Sequence, residues 1–420
     1  MPIVLFEDDL APQLYPITVS RPAFQISCGS YRLIDLADAV SAETGSGPVA
    51  VRVRPHLRAI CNEDRAVGAG AAGASTNRPE ATLLVNARLA PRAQLIGQLK
   101  EILRAGRPCQ VGTADGLALA LLPASVKLPD EAAGPTELAA LVAAQDLPTV
   151  ELDLPIFAYP HDVVRHHLAI LSDNLRHRLQ TASYREISDG VFAAEGATLG
   201  QHVVADTRKG PIVLERGASI GPYCFLSGPA HLGVGARVIE HAAIKDNVSL
   251  GHTTKIGGEI EGSIIEPYTN KQHHGFLGHS YLGSWVNLGA GTCNSDLKNT
   301  YGQVNMEYLG RKVATGMQFI GTIVGDYSKT AINTGIFTGK TVGACSMLYG
   351  FVTTNVPSFV NYARLFGQVT EAPVDVMVAT QARMFARRNV AQRPCDIQLL
   401  HDMYELTRHE RQLAGEPLSL

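Results

Sequence analysis

The sequence predicts an α/β domain, then a parallel β-helix, then a helical tail. The β-helix is predicted by an aliphatic residue at every sixth position from Leu214 to Ile256. A period of six fits neither an α-helix, with about 3.6 residues per turn, nor the alternation of a strand. It is typical of a coil with three six-residue sides, in which aliphatic side chains point inward and stack between coils. The positions are Leu214, Ile220, Leu226, Leu232, Val238, Ile244, Leu250 and Ile256.

Small residues are the second observation. A small or β-branched residue stands two positions before each aliphatic one from Ile220 onward, where the coil must turn a tight corner. These residues are Ala218, Cys224, Ala230, Ala236, Ala242, Val248 and Thr254.

The repeat is interrupted twice. It resumes first at Phe276, Leu282 and Leu288, and later at Val324, Thr330, Ile336, Val342 and Leu348. We therefore expect loops that leave the coil near 260–275 and 292–318, and loops on a rigid scaffold often carry function. The proline in segment 356–359 predicts the end of the coil.

The third observation is an alternation of apolar runs and amphipathic stretches before the repeat. Runs at 3–6, 49–53, 82–87 and 118–123 predict strands, and stretches at 93–106 and 161–180 predict helices. This order is typical of an α/β layer with a mainly parallel sheet. The segment 67–79, rich in small residues, predicts a loop.

These patterns place the domains at 1–183, 184–365 and 366–420. Within the tail, amphipathic stretches at 373–389 and 394–413 predict helices. Since the ends of a solenoid must be covered, we expect these helices to cap the open coil or to pack on a neighbouring subunit.

Composition excludes several classes of function. The net charge of −3 gives no basic footprint for nucleic acid or an anionic membrane. No stretch approaches the roughly 18 apolar residues of a membrane-spanning helix, and the opening residues lack the features of a signal peptide. The 7 cysteines have no CxxC spacing, so we expect free buried thiols and a cytoplasmic protein.

Two segments of the coil carry a specific resemblance. Segment 270–292, NKQHHGFLGHSYLGSWVNLGAGT, resembles the acetyltransferase half of the bifunctional glucosamine-1-phosphate N-acetyltransferase/N-acetylglucosamine-1-phosphate uridyltransferase family. In that family a His precedes an aromatic-aliphatic-Gly triplet and an Asn opens NxGAGT. Segment 324–357 is similar to the family's last coils. The resemblance implies a left-handed β-helix, acetyl-CoA as the acyl donor, and a homotrimer with its sites between subunits.

The resemblance also implies roles for single residues. His273 is then the general base, and histidine suits that role because its unperturbed pKa of about 6.5 lets it accept a proton near neutral pH. Asn287 would hydrogen-bond the sugar amine or the acetyl group, Lys271 would pair with the sugar phosphate, and Gly350 would meet the coenzyme. Phe276 stands where the family has a tyrosine, so one hydroxyl contact with the substrate is lost.

Other interpretations of these residues stay open. Asn287 has a structural interpretation, because asparagine tolerates left-handed backbone at β-helix corners and stacks in ladders. His274 competes with His273 as the base. A zinc site is a third interpretation, since β-helical carbonic anhydrases bind zinc between subunits and His241, His274 and His279 are neutral ligands that suit it.

The N-terminal part carries a second, altered resemblance. Segment 14–35 resembles the opening of sugar-1-phosphate nucleotidyltransferases, which have a Rossmann-like α/β fold. The matching residues are Arg21, Pro22, Gly29, Leu33, Ile34 and Asp35. The family's Gly-rich triphosphate loop is replaced by the acidic segment 6–13, its lysine by Ala23, and its metal-binding Asp by Ala87 and Arg88.

These replacements bear on phosphoryl transfer, which needs cations and amides to neutralise developing charge. We expect weakened nucleotidyl transfer unless Arg21, Arg32 and Arg88 supply the missing cations. The acidic residues 7–9 predict either a Mg²⁺ site or an exposed loop. Asp162 is either a second metal ligand or a favourable charge at the positive end of a helix.

The leading hypothesis is a cytoplasmic transferase that moves an acetyl group from acetyl-CoA to an amino-sugar 1-phosphate, with nucleotidyltransferase activity as an open question for the N-terminal domain. One rival is a sugar-1-phosphate nucleotidyltransferase whose β-helix only assembles it, which predicts Mg²⁺-dependent pyrophosphate release. Another is a non-catalytic trimeric scaffold that binds a sugar nucleotide without turnover.

Overall fold

The chain forms two compact units. The computed structural model describes residues 1–68, 80–130 and 134–413, and most of the loop expected at 67–79 lies outside them. Unit 1 comprises Met1–Leu14, Ser20–Ile26 and Tyr31–Tyr159, and unit 2 comprises Tyr15–Val19, Ser27–Ser30 and Pro160–Leu420. The helix predicted at 161–180 is therefore grouped with unit 2, although the sequence placed it in the first domain.

Unit 1 is built on a mixed sheet. Its strands lie in the order Ala50–Arg52, Ile3–Phe6, Thr82–Asn86, Gly116–Leu122 and Cys109–Thr113. The first three strands pair in parallel, and the last two join antiparallel. The expectation of a mainly parallel sheet is therefore wrong for the second half. The cause is a hairpin that closes just before Gly116, whose φ of 120° suits glycine alone.

The helices of unit 1 include two that the sequence indicated. The described helices are Leu33–Thr44, Arg58–Gly68, Gln94–Ala105 and Pro135–Ala143. The predicted helix at 93–106 is confirmed, and the Leu-Ile-Asp start implied by the resemblance opens the first helix. The Asp35 carboxylate accepts a hydrogen bond from the N–H of Arg32 at 3.0 Å, and Gly45 ends the helix at a φ of 67°.

Unit 2 is a parallel β-solenoid, as the six-residue period predicts. The aliphatic positions between Leu214 and Ile256 are all 3% exposed or less. Leu214 pairs with Leu232, and Leu232 with Leu250, in one parallel ladder. Each buried aliphatic side chain contributes about 1.5–3 kcal/mol to folding, so the inward stack stabilises the solenoid along its whole length.

The solenoid has three faces, each defined by its strands. Face 1 contains Val191–Ala193, Ile212–Leu214, Ala230–Leu232, Val248–Leu250, Ile264–Ile265, Tyr281–Leu282, Thr322–Val324 and Lys340–Val342. Face 2 contains Thr198–Leu199, Ser219–Ile220, Arg237–Val238, Lys255–Ile256, Asn270–Lys271, Lys329–Thr330, Met347–Leu348 and Val360–Ala363. Face 3 contains Val204–Asp206, Phe225–Ser227, Ala243–Ile244, Glu259–Glu261, Phe276–Gly278, Cys293–Asn294, Gly335–Ile336 and Phe351–Val352. The antiparallel strands Arg185–Ser188 and Gln368–Glu371 lie at the edges of faces 1 and 2.

The first interruption of the repeat is a shortened coil, so the loop expected at 260–275 is wrong. Strands of all three faces continue through this segment. Only the spacing changes, because the inward residues are now Ile256, Ile260, Ile265 and Lys271. This shift also moves the next inward position from Phe276 to Leu277, which is 2% exposed.

The second interruption leaves the coil, as predicted near 292–318. The chain departs after Asn294 and forms an antiparallel hairpin of strands Asn305–Tyr308 and Arg311–Ala314. The expected end at 356–359 is wrong, because Val356 bridges to Val342 and one more parallel strand follows at 360–363.

Helices complete unit 2. They are Pro160–Thr181, Val374–Ala386, Pro394–Leu406 and Arg408–Leu413. The predicted tail helices are confirmed, the second with a break at Thr407. Phe385 packs on Trp285 with ring centroids 4.6 Å apart, and Tyr404 packs on Phe359 at 5.2 Å. The tail therefore packs on coils of its own chain. Among the described residues, no helix is both long and apolar enough to cross a membrane.

Candidate functional site

His273 lies on the turn between faces 2 and 3. Its side chain and that of His274 are exposed. The turn itself is fixed by its main chain, because the carbonyl oxygen of His274 accepts a hydrogen bond from the N–H of Gly291 at 3.1 Å. The solenoid therefore presents two imidazoles to solvent from a turn held by main-chain hydrogen bonds, where a substrate could reach either of them.

Lys271 stabilises the same turn from inside the coil. It takes an inward position in register with Ile256 and is 1% exposed. Its ammonium group donates to the carbonyl oxygens of Gly257 and His273, both at 3.0 Å, and burial lowers its pKa to about 8. The sequence predicted that Lys271 pairs with a sugar phosphate on the surface. The structure places it in the core, where it positions the main chain that carries His273.

Asn287 lies on the outer side of face 2, in a ladder between Asn270 and Lys329. Its side chain is exposed, and its Oδ1 accepts a hydrogen bond from Nδ2 of Asn270 at 2.7 Å. This is the stacked pair that the structural interpretation expects. It engages the amide oxygen and leaves the Asn287 NH₂ as a donor without a partner among the described residues.

Phe276 and Gly350 each lie close to other parts of the chain. Phe276 is half-buried beside Gly278, where an added Cβ would come within 2.4 Å of its ring. Gly350 has a φ of 74°, and an added Cβ would lie 3.0 Å from the side chain of Leu365. The predicted coenzyme contact of Gly350 stays a prediction, in a place that Leu365 partly covers.

A histidine–aspartate pair is a feature that the sequence did not reveal. His279 Nδ1 lies 2.8 Å from Asp296 Oδ2, with the two side chains 16% and 13% exposed. Phe319 packs on the His279 ring at 5.3 Å between centroids. Asp296 and Phe319 flank the hairpin excursion, so this cluster ties the two ends of the insertion to the coil. No local sequence signal links these residues, because only the coil register brings them together.

The metal-binding interpretations find little support. His279 is engaged by Asp296, and His241 stacks on Tyr223 with centroids 5.3 Å apart. Asp162 is 5% exposed and pairs with Arg165 at 2.8 Å in the first turn of its helix, which favours the helix-terminus interpretation. Within residues 1–68, 80–130 and 134–413, no group of three or more His, Cys, Asp or Glu side chains is arranged to hold a metal.

The acidic segment of unit 1 is neutralised by buried arginines. Glu7 is 2% exposed and accepts hydrogen bonds from Arg54 Nε at 3.0 Å and from the N–H of Ala23 at 2.9 Å. Asp8 accepts from Nε and Nη2 of the fully buried Arg88, at 2.8 and 2.6 Å. The expectation of an exposed loop is wrong for these two carboxylates. Because both are already paired, they do not fit a Mg²⁺ site.

The arginines considered as replacement phosphate ligands are differently placed. Arg88 also donates to the carbonyl oxygens of Phe157 and Asp115, at 2.6 and 2.8 Å. Arg32 is exposed but forms a bidentate pair with Asp35, at 3.1 and 2.6 Å. Arg21 is 8% exposed. Of these arginines, Arg32 alone presents its guanidinium group to solvent.

Comparison with known proteins supports both resemblances. Residues 3–180 match a family model described as sugar nucleotidyl transferase. A bifunctional sugar-1-phosphate nucleotidylyltransferase/acetyltransferase of Sulfurisphaera tokodaii is 27% identical over 149 residues, 35% of this chain and 37% of that protein. The bifunctional protein GlmU of Methanococcus vannielii is 31% identical over 144 residues, 34% of each chain. That of Ralstonia pickettii is 31% identical over 115 residues, 26% of this chain and 24% of that protein.

The matches thus span between 24% and 37% of the relatives' own lengths. Among solved structures, the UDP-N-acetylglucosamine acyltransferase of Francisella novicida shows a weak likeness, with a TM-score of 0.27 and 16% identity over 56% of this chain and 79% of that one. The family model and the named relatives support the resemblance recognised in the sequence, each over a part of the chain.

Proposed function

We propose that this relative of the bifunctional sugar-1-phosphate nucleotidyltransferase/acetyltransferases moves an acetyl group from acetyl-CoA to the amine of an amino-sugar 1-phosphate. The observation that carries the proposal is the exposed His273 on a turn fastened from the core by Lys271. The name of the Sulfurisphaera relative, which joins both activities, supports it.

His273 suits the chemical step. The amine nitrogen forms a bond to the thioester carbonyl carbon, the carbon–sulfur bond breaks, and CoA leaves as the thiol. His273 takes the proton that the amine must lose and returns it to the departing sulfur. A positioned base of this kind contributes about 10²–10⁴-fold to a rate.

Asn287 has a complementary role in this proposal. Because its Oδ1 is engaged by Asn270, its NH₂ is the group that can reach a substrate. We assign it as a hydrogen-bond donor to the acetyl oxygen, where negative charge develops as the amine attacks.

The oligomeric state and the cellular location are inferred from the family resemblance alone. We infer a cytoplasmic homotrimer that takes part in the synthesis of nucleotide sugars such as UDP-N-acetylglucosamine. Light scattering of the purified full chain tests the trimer, and a monomer at working concentration would contradict it.

The function is tested by following free CoA with a thiol reagent, with acetyl-CoA and glucosamine 1-phosphate as substrates. We expect turnover that falls about 100-fold or more in His273→Ala, as for loss of a general base. His274→Ala is the matched control, because it removes a neighbouring exposed imidazole, and it should keep near-normal activity. Equal activity in His273→Ala and the unmodified protein would contradict the assignment.

Nucleotidyl transfer by unit 1 is the second candidate function, favoured by the family-model match over residues 3–180. Glu7 and Asp8, as ion-paired in the structure, offer no Mg²⁺ ligand, so we derive no metal-dependent step there. Pyrophosphate release from a nucleoside triphosphate and a sugar 1-phosphate, with and without Mg²⁺, decides whether this activity exists.

A further inference from the structure

A group of cations in unit 2 lacks anionic partners. We call it the basic cluster, and its members are Arg237, Lys255, Arg387 and Arg388. Arg237 and Arg387 are exposed, while Lys255 and Arg388 are half-buried. Among the described residues, none of the four side chains forms an ion pair or a hydrogen bond. By contrast, Lys245 on the same solenoid pairs with Glu259 and Glu261.

The fold brings these side chains together from two elements. Arg237 and Lys255 are direct partners in the parallel ladder of face 2, on strands about 4.8 Å apart. The arginines follow the tail helix Val374–Ala386, whose end is anchored where Phe385 packs on Trp285 at 4.6 Å. Trp285 in turn stacks on Tyr268 with centroids 4.2 Å apart. Packing of the helix end therefore fixes, against the solenoid, the main chain that carries Arg387 and Arg388.

Positive charges of the basic cluster act on the pKa values of Lys255 and Arg388. Arg388 is the largest influence that lowers the pKa of Lys255, followed by burial, Arg237 and Arg387. Burial, and then Arg387, lower the pKa of Arg388. Repulsion between like charges costs free energy in the empty protein. An anion bound among them would remove that cost.

We propose that the basic cluster binds a ligand that carries two or more phosphate groups. A phosphate monoester carries a charge of about −1.5 to −2 near neutral pH, so four cations match two phosphates better than one. Arginine also binds phosphate oxygens in a bidentate manner. The cluster lies on face 2, where Lys255 is the ladder partner of Asn270 and Asn270 that of Asn287. The ligand is either a nucleoside polyphosphate or the phosphate-bearing part of CoA.

Direct binding to the full chain tests this proposal apart from any catalytic activity. The probes are inorganic pyrophosphate, CoA and UTP, each measured by calorimetry. The test variant is Arg387→Gln/Arg388→Gln, and the control is Arg208→Gln/Lys209→Gln, which removes two charges that are paired with Asp206 and Asp246. We expect the affinity to fall about tenfold or more in the test variant and to stay unchanged in the control. The affinity of the unmodified chain should also fall as the salt concentration rises.

The outcomes separate clearly. Preferential loss of CoA binding assigns the site to the coenzyme, and preferential loss of UTP binding assigns it to a nucleotide. Equal affinities in the test and control variants would overturn the proposal, as would the absence of binding of all three probes to the unmodified chain. An unchanged or raised melting temperature of the test variant excludes misfolding as the cause. If acyl transfer fails while this binding persists, only the proposed function is lost.

Discussion

The acidic segment of unit 1 and the basic cluster of unit 2 both gather charges of one sign, but only the first pairs them with charges of the other sign. In unit 1, Glu7 is buried, Asp8 is half-buried, and each is paired with a buried arginine. In unit 2, Lys255 and its neighbours have no carboxylate partner in the described chain. Paired buried charges serve the fold, whereas unpaired cations weaken it until an anion arrives. This difference is why we propose that a charged ligand binds on the solenoid.

The largest predicted effect tests the structural role of the charges in unit 1. Arg88→Met should destabilise the protein by about 3–5 kcal/mol, because it leaves the Asp8 carboxylate without its buried partner. Denaturant unfolding measures the loss. The control is Arg92→Met, whose partner Asp153 is 87% exposed, and it should cost less than about 1 kcal/mol. Equal costs would mean that the Asp8–Arg88 pair does not stabilise the fold.

A pH series tests whether unit 2 also contains a buried polar group that serves the fold. His167 accepts a hydrogen bond at Nδ1 from the N–H of Gly29 and donates from Nε2 to the carbonyl of Asn247, both at 3.0 Å. Burial lowers its pKa to about 4. The neutral form is therefore the folded one, and its contribution is full above pH 6.5 and lost as pH falls from about 6.5 to 4.

The expected loss of stability over this range is about 3 kcal/mol, from the free energy that corresponds to such a pKa shift. Unfolding free energies of the unmodified chain and of His167→Gln between pH 7 and pH 4 check it. The variant should show a flatter profile, since glutamine does not titrate. Parallel profiles would contradict the assignment.

Lys271→Met sharpens the distinction between a positioning residue and a substrate ligand. A thioether fits an inward position of the coil, so we expect a stability change within about 1.5 kcal/mol. Activity should fall through kcat, because the carbonyl of His273 loses its donor, while KM for the sugar phosphate stays the same. A large rise of KM with unchanged kcat would instead restore Lys271 as the phosphate ligand that the sequence suggested.

The smallest predicted effect concerns the empty basic cluster. Lys255→Gln should raise the unfolding free energy by about 0.5 kcal/mol at low salt, because it relieves repulsion from Arg388 and Arg237. The gain should vanish at high salt, where screening already weakens the repulsion. Thermal unfolding at two salt concentrations measures it. A loss of stability at low salt would show that Lys255 has an attractive partner.

The sequence predicted the solenoid because its inward positions repeat locally, and each aliphatic residue reports its own burial. The prediction failed at the first interruption because this coil has sides of four and five residues, which shift the phase of the six-residue repeat. As a result Lys271 takes an inward position, and Leu277 takes the inward position expected for Phe276. The sequence did not predict the ion pairs of unit 1 for another reason. Their partners are 47 and 80 residues apart in the chain, and no local period links them.

The candidate site was predicted in part. His273 was singled out through a motif, and the structure places it on an exposed turn, while its catalytic role stays a prediction. The sequence did not predict the basic cluster, because its cations come from two ladder strands and from the end of a tail helix. Their arrangement depends on where Phe385 packs.

The most direct test of the account measures both reactions in one preparation of the full chain. CoA release is followed with acetyl-CoA and glucosamine 1-phosphate, and pyrophosphate release with UTP, Mg²⁺ and a sugar 1-phosphate. CoA release should exceed any release of pyrophosphate, and it should fall about 100-fold or more in His273→Ala. Rapid Mg²⁺-dependent pyrophosphate release, with no CoA release from any amino-sugar phosphate, would contradict the account.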